Sequence, residues 1–266
     1  AVMEAQAALV ARWMHVGFIH GVMNTDNMTI SGETIDYGPC AFLDSYAPDT
    51  VFSSIDTQGR YAYANQPVIA QWNLTRFAET LVALVHSDES EAVILLTDAI
   101  NQFPSIYLKH WLSGMRAKIG LVTQESDDLD LVNGLFSTMK DQSVDYTLFF
   151  RSLSSAATGD TAGVRELFND PEKLDPWIDR WLSRLEREPT GPEACANAMK
   201  QSNPIYIPRN HKVEEALDAA VQRLDLTLFN VLLDTVSKPF DEVDGKEGFA
   251  QPAPAGSRPH QTFCGT

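Results

Sequence analysis

A chain of 266 residues, 44% hydrophobic and 21% charged, can bury a real core and has the composition of a globular protein rather than a disordered one. Its formal charge of −16 repels phosphate backbones and anionic lipid, which excludes nucleic acids and membrane surfaces as bulk partners. An anionic ligand on such a chain must find local cations, either metal ions or a few placed Arg and Lys.

The first predicted element is a helix over residues 2–18, with Ala8, Leu9, Arg12, Trp13 and Val16 on one stripe. The chain enters it directly, through Ala-Val-Met-Glu-Ala-Gln and without a signal-peptide pattern, which reads as the interior of a longer protein. Met28-Thr29-Ile30, Ser31-Gly32-Glu33 and Thr34-Ile35-Asp36 predict strand, tight turn and strand. Residues 37–67 lack helical period and form a long loop, a length usually reserved for function. Beyond Pro67 the pattern is helical. Ile69, Trp72, Phe77, Leu81 and Leu84 give one core stripe, and Val93, Leu96, Ile100 and Phe103 the next. Helices follow near 105–119, 124–139, 144–153, 161–168, 173–186, 211–223 and 226–236, and from Lys238 prolines and glycines leave an extended tail. No apolar run approaches the roughly 20 residues of a membrane helix. The three cysteines, Cys40, Cys195 and Cys264, are far apart and lack zinc spacing, which places the chain in a reducing compartment: the cytoplasm, or the mitochondrion in a eukaryote.

Chemistry concentrates in His20-Gly21-Val22-Met23-Asn24-Thr25-Asp26-Asn27 and, after the hairpin, Asp36-Tyr37-Gly38. Taken singly, His20 is a buried loop histidine, Asp36 a turn or cap residue and Asp26-Asn27 a turn. Together they follow the kinase order of a catalytic loop, H-R-D-x-x-x-x-N, then a short hairpin and Asp-Phe-Gly. Asn27 and Asp36 are suitable hard-oxygen ligands for a divalent ion on ATP phosphates, which requires their side-chain oxygens to approach within about 5 Å. Val22 stands where a kinase has its catalytic Asp and can take no proton. Asp26, beside Asn27, is the only carboxylate in the loop able to act as base. These residues predict the mostly helical C-terminal lobe of a protein-kinase-like α+β fold, with a short β-hairpin at its site. The lobe covers residues 1–239 (catalytic loop 20–27, activation segment 36–67), and residues 240–266 are the tail.

The run from Val16 to Met28, the segment Thr34-Ile35-Asp36-Tyr37-Gly38-Pro39, Gly59-Arg60-Tyr61, Gln66-Pro67, Trp72-Asn73-Leu74, Asn203-Pro204 and Arg209-Asn210-His211 together closely resemble the selenoprotein O family. The resemblance runs the length of the chain. It implies a kinase-like protein adenylyltransferase that moves AMP from ATP to hydroxyl side chains (Ser, Thr, Tyr) of proteins, with Mg2+ or Mn2+. By position it makes Asp26 the proton acceptor and Asn27 and Asp36 the metal ligands, Asp36 also lying near the ATP phosphates. The family's glycine-rich loop and phosphate-gripping lysine and arginines lie upstream of the motif, so this chain is expected to lack the N-terminal lobe. Cys264, third from the end, falls where the family places a cysteine or selenocysteine that can link to the activation segment. The corresponding position here is Phe52, which leaves Cys264 a free thiol and redox control in doubt. Residue chemistry alone leaves open a catalytically silent pseudokinase scaffold and a phosphate-transferring kinase. Retention of Asp26, Asn27 and Asp36 favours transfer over the scaffold, and Val22 disfavours the kinase.

Overall fold

The computed structural model describes residues 1–254 and 256–263, so Cys264 lies outside the described residues. Helix α1 (Val2–Val16) opens the chain, followed by β1 (Phe18–Ile19), a 3-10 turn (Thr25–Asn27) and β2 (Ala41–Phe42), which pairs with β1 as a two-stranded sheet. The helices α2 (Gln66–Glu79), α3 (Val82–Val85), α4 (Glu89–Ile100) and α5 (Phe103–Lys118) come next. After them run α6 (Asp128–Met139), α7 (Tyr146–Ala156), α8 (Ala162–Arg165), α9 (Asp175–Leu185), α10 (Pro192–Ser202), α11 (Asn210–Arg223), α12 (Thr227–Val236) and α13 (Glu247–Ala250). The chain divides into two compact units, one of residues 1–41, 48–114 and the described residues from Gln261, the other of residues 42–47 and 115–260.

In the first unit, α1 ends one residue before β1 because Gly17 adopts φ 72° and returns its N–H to Trp13 O. The buried face is Gln6, Ala7, Val10, Ala11, Trp13 and Met14. Of the predicted stripe only Trp13 is buried, and Arg12 is exposed. The small alanines let neighbouring backbone approach, and Gln6 goes inward because its amide donates to Thr29 O. The second helical stripe also needs correcting. Ile69 is buried, but Trp72, Phe77, Leu84 and Val93 are exposed. The inward face of α2 carries Gln66, Ile69, Ala70, Asn73, Leu74 and Ala78, two of them amides that bond backbone groups of Phe18, His20 and Met23. The predicted hairpin is reduced to one antiparallel bridge, Met28 with Thr34, because Thr29 Oγ1 takes the Glu33 N–H and donates to Glu33 O in place of further backbone rungs.

The second unit packs α6, α7 and α9 around Leu131, Leu135, Phe149, Phe150, Trp177 and Trp181, with the two indoles stacked at 5.6 Å. Each indole N–H finds a backbone carbonyl, Leu131 O and Ile119 O. Helix α10, which sequence periodicity missed, packs against α7 through Cys195, Ala196 and Met199. The tail contains α13 rather than extended chain throughout, because Ala250 is buried and its carbonyl accepts from Arg209.

One ion network joins α5, α6 and α9: Asp128 accepts from Arg116 Nε at 2.6 Å and Arg184 Nε at 2.9 Å, and Arg184 reaches Glu188 at 2.6 Å. Burial by itself would raise the Asp128 pKa, but bonds from Glu125 N–H, Arg184 and Arg116 outweigh it and hold the carboxyl below its ordinary value. A depressed carboxyl contributes stability above its unfolded pKa, near 4, and loses it as pH falls through the folded value. Asp128→Ala is expected to cost about 3–5 kcal/mol at neutral pH, because it removes the carboxylate shared by two largely buried guanidinium groups and takes from Arg116 its ion pair. In urea titrations the variant should also lose less stability than the parent between pH 4 and 2.

Candidate active site

The site is built on residues 20–38, held between α1 and α2. Gly21 takes φ +85°, and a Cβ there would stand 2.7 Å from Pro39 O, so only glycine fits the turn into the loop. His20 is fully buried against the rings of Trp13 and Phe18. Its Nε2–H donates to Ile35 O at 2.8 Å, and Nδ1 faces the Val22 N–H at 3.4 Å, which sets the tautomer. Burial lowers the His20 pKa, against the smaller opposing effects of the Ile35 bond and the Asp36 charge. A neutral imidazole thus ties the start of the loop to the residue before Asp36; its role is structural.

Two amides on α2 hold the loop from the other side. Gln66 Oε1 accepts the His20 N–H at 3.0 Å while its Nε2 donates to Phe18 O at 2.9 Å. Asn73 Nδ2 donates to Met23 O at 2.8 Å. From α1, Trp13 Nε1 donates to Thr34 Oγ1 at 2.9 Å. Gly32, at φ +77°, lets the turn of the hairpin lie against Ala5.

These supports place the three predicted residues as follows. Asp26 and Asn27 lie in the 3-10 turn, Asp26 exposed and Asn27 half-buried. Asn27 Nδ2 donates to Val22 O at 3.0 Å, which fixes the amide and leaves its Oδ1 as the free acceptor. Val22 itself is buried. Asp36 is exposed and sits at φ 56°, in the left-handed region that Asp and Asn tolerate better than most residues. The Met28–Thr34 bridge and the His20–Ile35 bond bring the backbone next to Asn27 and the backbone before Asp36 together.

Among the described residues no group of three or more His, Cys, Asp or Glu is arranged to hold a metal ion. A magnesium-type ion bound with a nucleotide needs less, one or two protein oxygens beside phosphates and water. The Asn27 Oδ1, freed by its own amide hydrogen bond, and the exposed Asp36 carboxylate fit that donor set.

Of the cysteines that are described, Cys195 is buried against Thr190, and Cys40 is half-buried with its thiol pKa raised by burial. The position of Phe52 is occupied by a buried ring whose backbone pairs with Thr262: Thr262 N–H donates to Phe52 O at 2.8 Å and Ser54 N–H to Thr262 O at 2.9 Å. Sequence reading left Gln66, Asn73 and Tyr61 without individual roles. The available signal was two amides seven residues apart on the apolar face of a helix that follows the site.

The family described as "Protein adenylyltransferase SelO" matches residues 1–237, and the chain belongs to that family. It is similar along its whole length to proteins named "Protein nucleotidyltransferase YdiU". It is 55% identical over 268 residues to the one from Rhizobium meliloti (strain 1021), covering 55% of that relative. To those from Alkaliphilus metalliredigens and Anoxybacillus flavithermus it is 52% and 51% identical over 265 residues, covering 53% of each. The chain spans about half the length of the curated relatives it matches. No helix among the described residues is long and apolar enough to cross a membrane.

Proposed function

We propose that this chain supplies the catalytic loop and metal-binding residues of a kinase-like protein adenylyltransferase. The observation that carries the reading is the turn Thr25–Asn27, which presents an exposed Asp26 next to an Asn27 whose amide oxygen is turned free by the bond to Val22 O. Family membership and the names of the relatives support transfer of a nucleotide to protein.

In this reading Asp26 accepts the proton of an acceptor hydroxyl on a Ser, Thr or Tyr side chain. The hydroxyl oxygen then bonds to the α-phosphorus of ATP, the bond from that phosphorus to the bridging oxygen breaks, and diphosphate leaves. Asn27 and Asp36 would hold Mg2+ or Mn2+, which supplies positive charge to the nucleotide phosphates. His20 keeps the Asp36 segment against the loop. Burial of Val22 removes the usual base position of a phosphate-transferring kinase, and a silent scaffold has no use for a base set beside a ligand.

The test is incubation of the full-length protein and acceptor protein with ATP labelled at the α or the γ position. Label is expected on protein only from the α position. Label from the γ position alone means phosphate transfer, and none from either means the scaffold.

A further inference from the structure

Tyr61 belongs to the long loop before α2, and its hydroxyl donates to Asn24 Oδ1 at 2.7 Å. Asn24 begins the turn that carries Asp26 and Asn27. Its backbone carbonyl accepts the Asn27 N–H at 3.0 Å, while its side chain makes no capping bond to the turn. The Asn24 side chain is therefore turned toward Tyr61. On the other side of the bond the tyrosine is firmly seated. The Asp56 carboxylate accepts both the Arg60 and Tyr61 N–H groups at 2.8 Å, closing residues 56–61 into a loop. The Arg60 guanidinium lies 5.6 Å from the Tyr61 ring centre and 4.7 Å from that of Trp72 on α2. Asn73, the next residue of α2, holds Met23 O, one residue before Asn24.

We propose that Tyr61 is a positioning residue, whose hydroxyl fixes Asn24 and through it the orientation of the Asp26 carboxylate. This rests on the reading of Asp26 as base. The bond lies at the surface, where its loss should cost little stability, and it acts on the residue that begins the turn. It also ties the loop that follows Asp36 to the catalytic turn, so anything that displaces residues 56–61 misplaces Asp26.

Tyr61→Phe removes only the hydroxyl. In the full-length protein it is expected to lower kcat for AMP transfer about tenfold to hundredfold, as small misplacements of reacting groups do. The KM for ATP should not change, and Tm should stay within about 2–4 °C. Asn24→Ala should give the same loss, and the double variant no more than either single one, because the two residues act through one bond. Wild-type kcat in Tyr61→Phe, or losses that multiply in the double variant, would overturn the proposal. Asp26→Asn is measured alongside. Inactive Asp26→Asn with fully active Tyr61→Phe sinks the positioning role alone, whereas fully active Asp26→Asn sinks the reading of the loop and this role with it.

Discussion

Asp26→Asn in the full-length protein is expected to lower kcat for AMP transfer by about 10²–10⁴-fold while leaving nucleotide binding nearly intact. A base acts as the acceptor hydroxyl loses its proton, so its loss is felt in the transition state and little in ground-state affinity for ATP. Asn keeps the shape of Asp26, and the exposed turn requires no charge there to fold. Loss of a metal ligand should look different. Asp36→Asn is expected to abolish transfer and to weaken metal-dependent nucleotide binding as well, read by calorimetry with Mg2+ or Mn2+ present and absent. Asn is preferable to Ala at this position because φ is 56°, where a residue without a short polar side chain adds roughly 1–2 kcal/mol of backbone strain. If Asp36→Asn bound nucleotide as tightly as the parent at every metal concentration, Asp36 would not be a ligand. If Asp26→Asn transferred AMP at the parent rate, the proton would have to go to water or to a substrate group.

The parts of this site that were legible in the sequence are those whose spacing is fixed by chain connectivity. A loop of eight residues from His20 to Asn27, a turn at Gly32 and an Asp before an aromatic and a glycine can be counted along the chain, and the structure has a bridge and a turn in that order. The existence of most helices was legible for the same reason: the 3.6-residue period survives without knowledge of partners. Which face is buried was not. In α2 the aromatic residues Trp72 and Phe77 point outward and the amides Gln66 and Asn73 inward. Apolar character decides burial only where the surrounding backbone is already paired, and here unpaired loop groups (Phe18 O, Met23 O and the His20 N–H) need donors and an acceptor from that face. Asn24 with Tyr61 escaped for a related reason. Their contact spans 37 positions in sequence, and nothing local marks it. Helix α10 was missed because its residues are mostly small or polar, with Cys195, Ala196 and Met199 alone on the inward face.

Arg209→Leu is expected to destabilise the second unit by about 3–5 kcal/mol, on the scale of Asp128→Ala. Arg209 is fully buried and its guanidinium makes every bond its shape allows in that pocket. It holds Asp145 through both carboxylate oxygens, Asp44 Oδ1 at 2.7 Å, and the carbonyl of Ala250. Removing it leaves the Asp145 carboxylate in the interior without its counter-charge. Asp145 also caps α7 by accepting the Leu148 N–H at 2.8 Å, so the damage reaches the start of that helix. Residues 42–47 depend on the same group: Asp44 is tied to it directly, and the neighbouring Asn210 accepts the Phe42 N–H and donates to Phe42 O. Arg209→Lys should recover little, because one ammonium cannot span two carboxylates and a carbonyl in the fork geometry of guanidinium. The diagnostic variant is Arg209→Leu combined with Asp145→Asn. Asn still caps the helix but carries no charge, so the pair should regain a substantial part of the loss in urea titration. If the double variant were no more stable than Arg209→Leu alone, the loss would come from the packing of the long Arg209 side chain and its bond to Ala250 O, with the stranded charge of Asp145 contributing nothing.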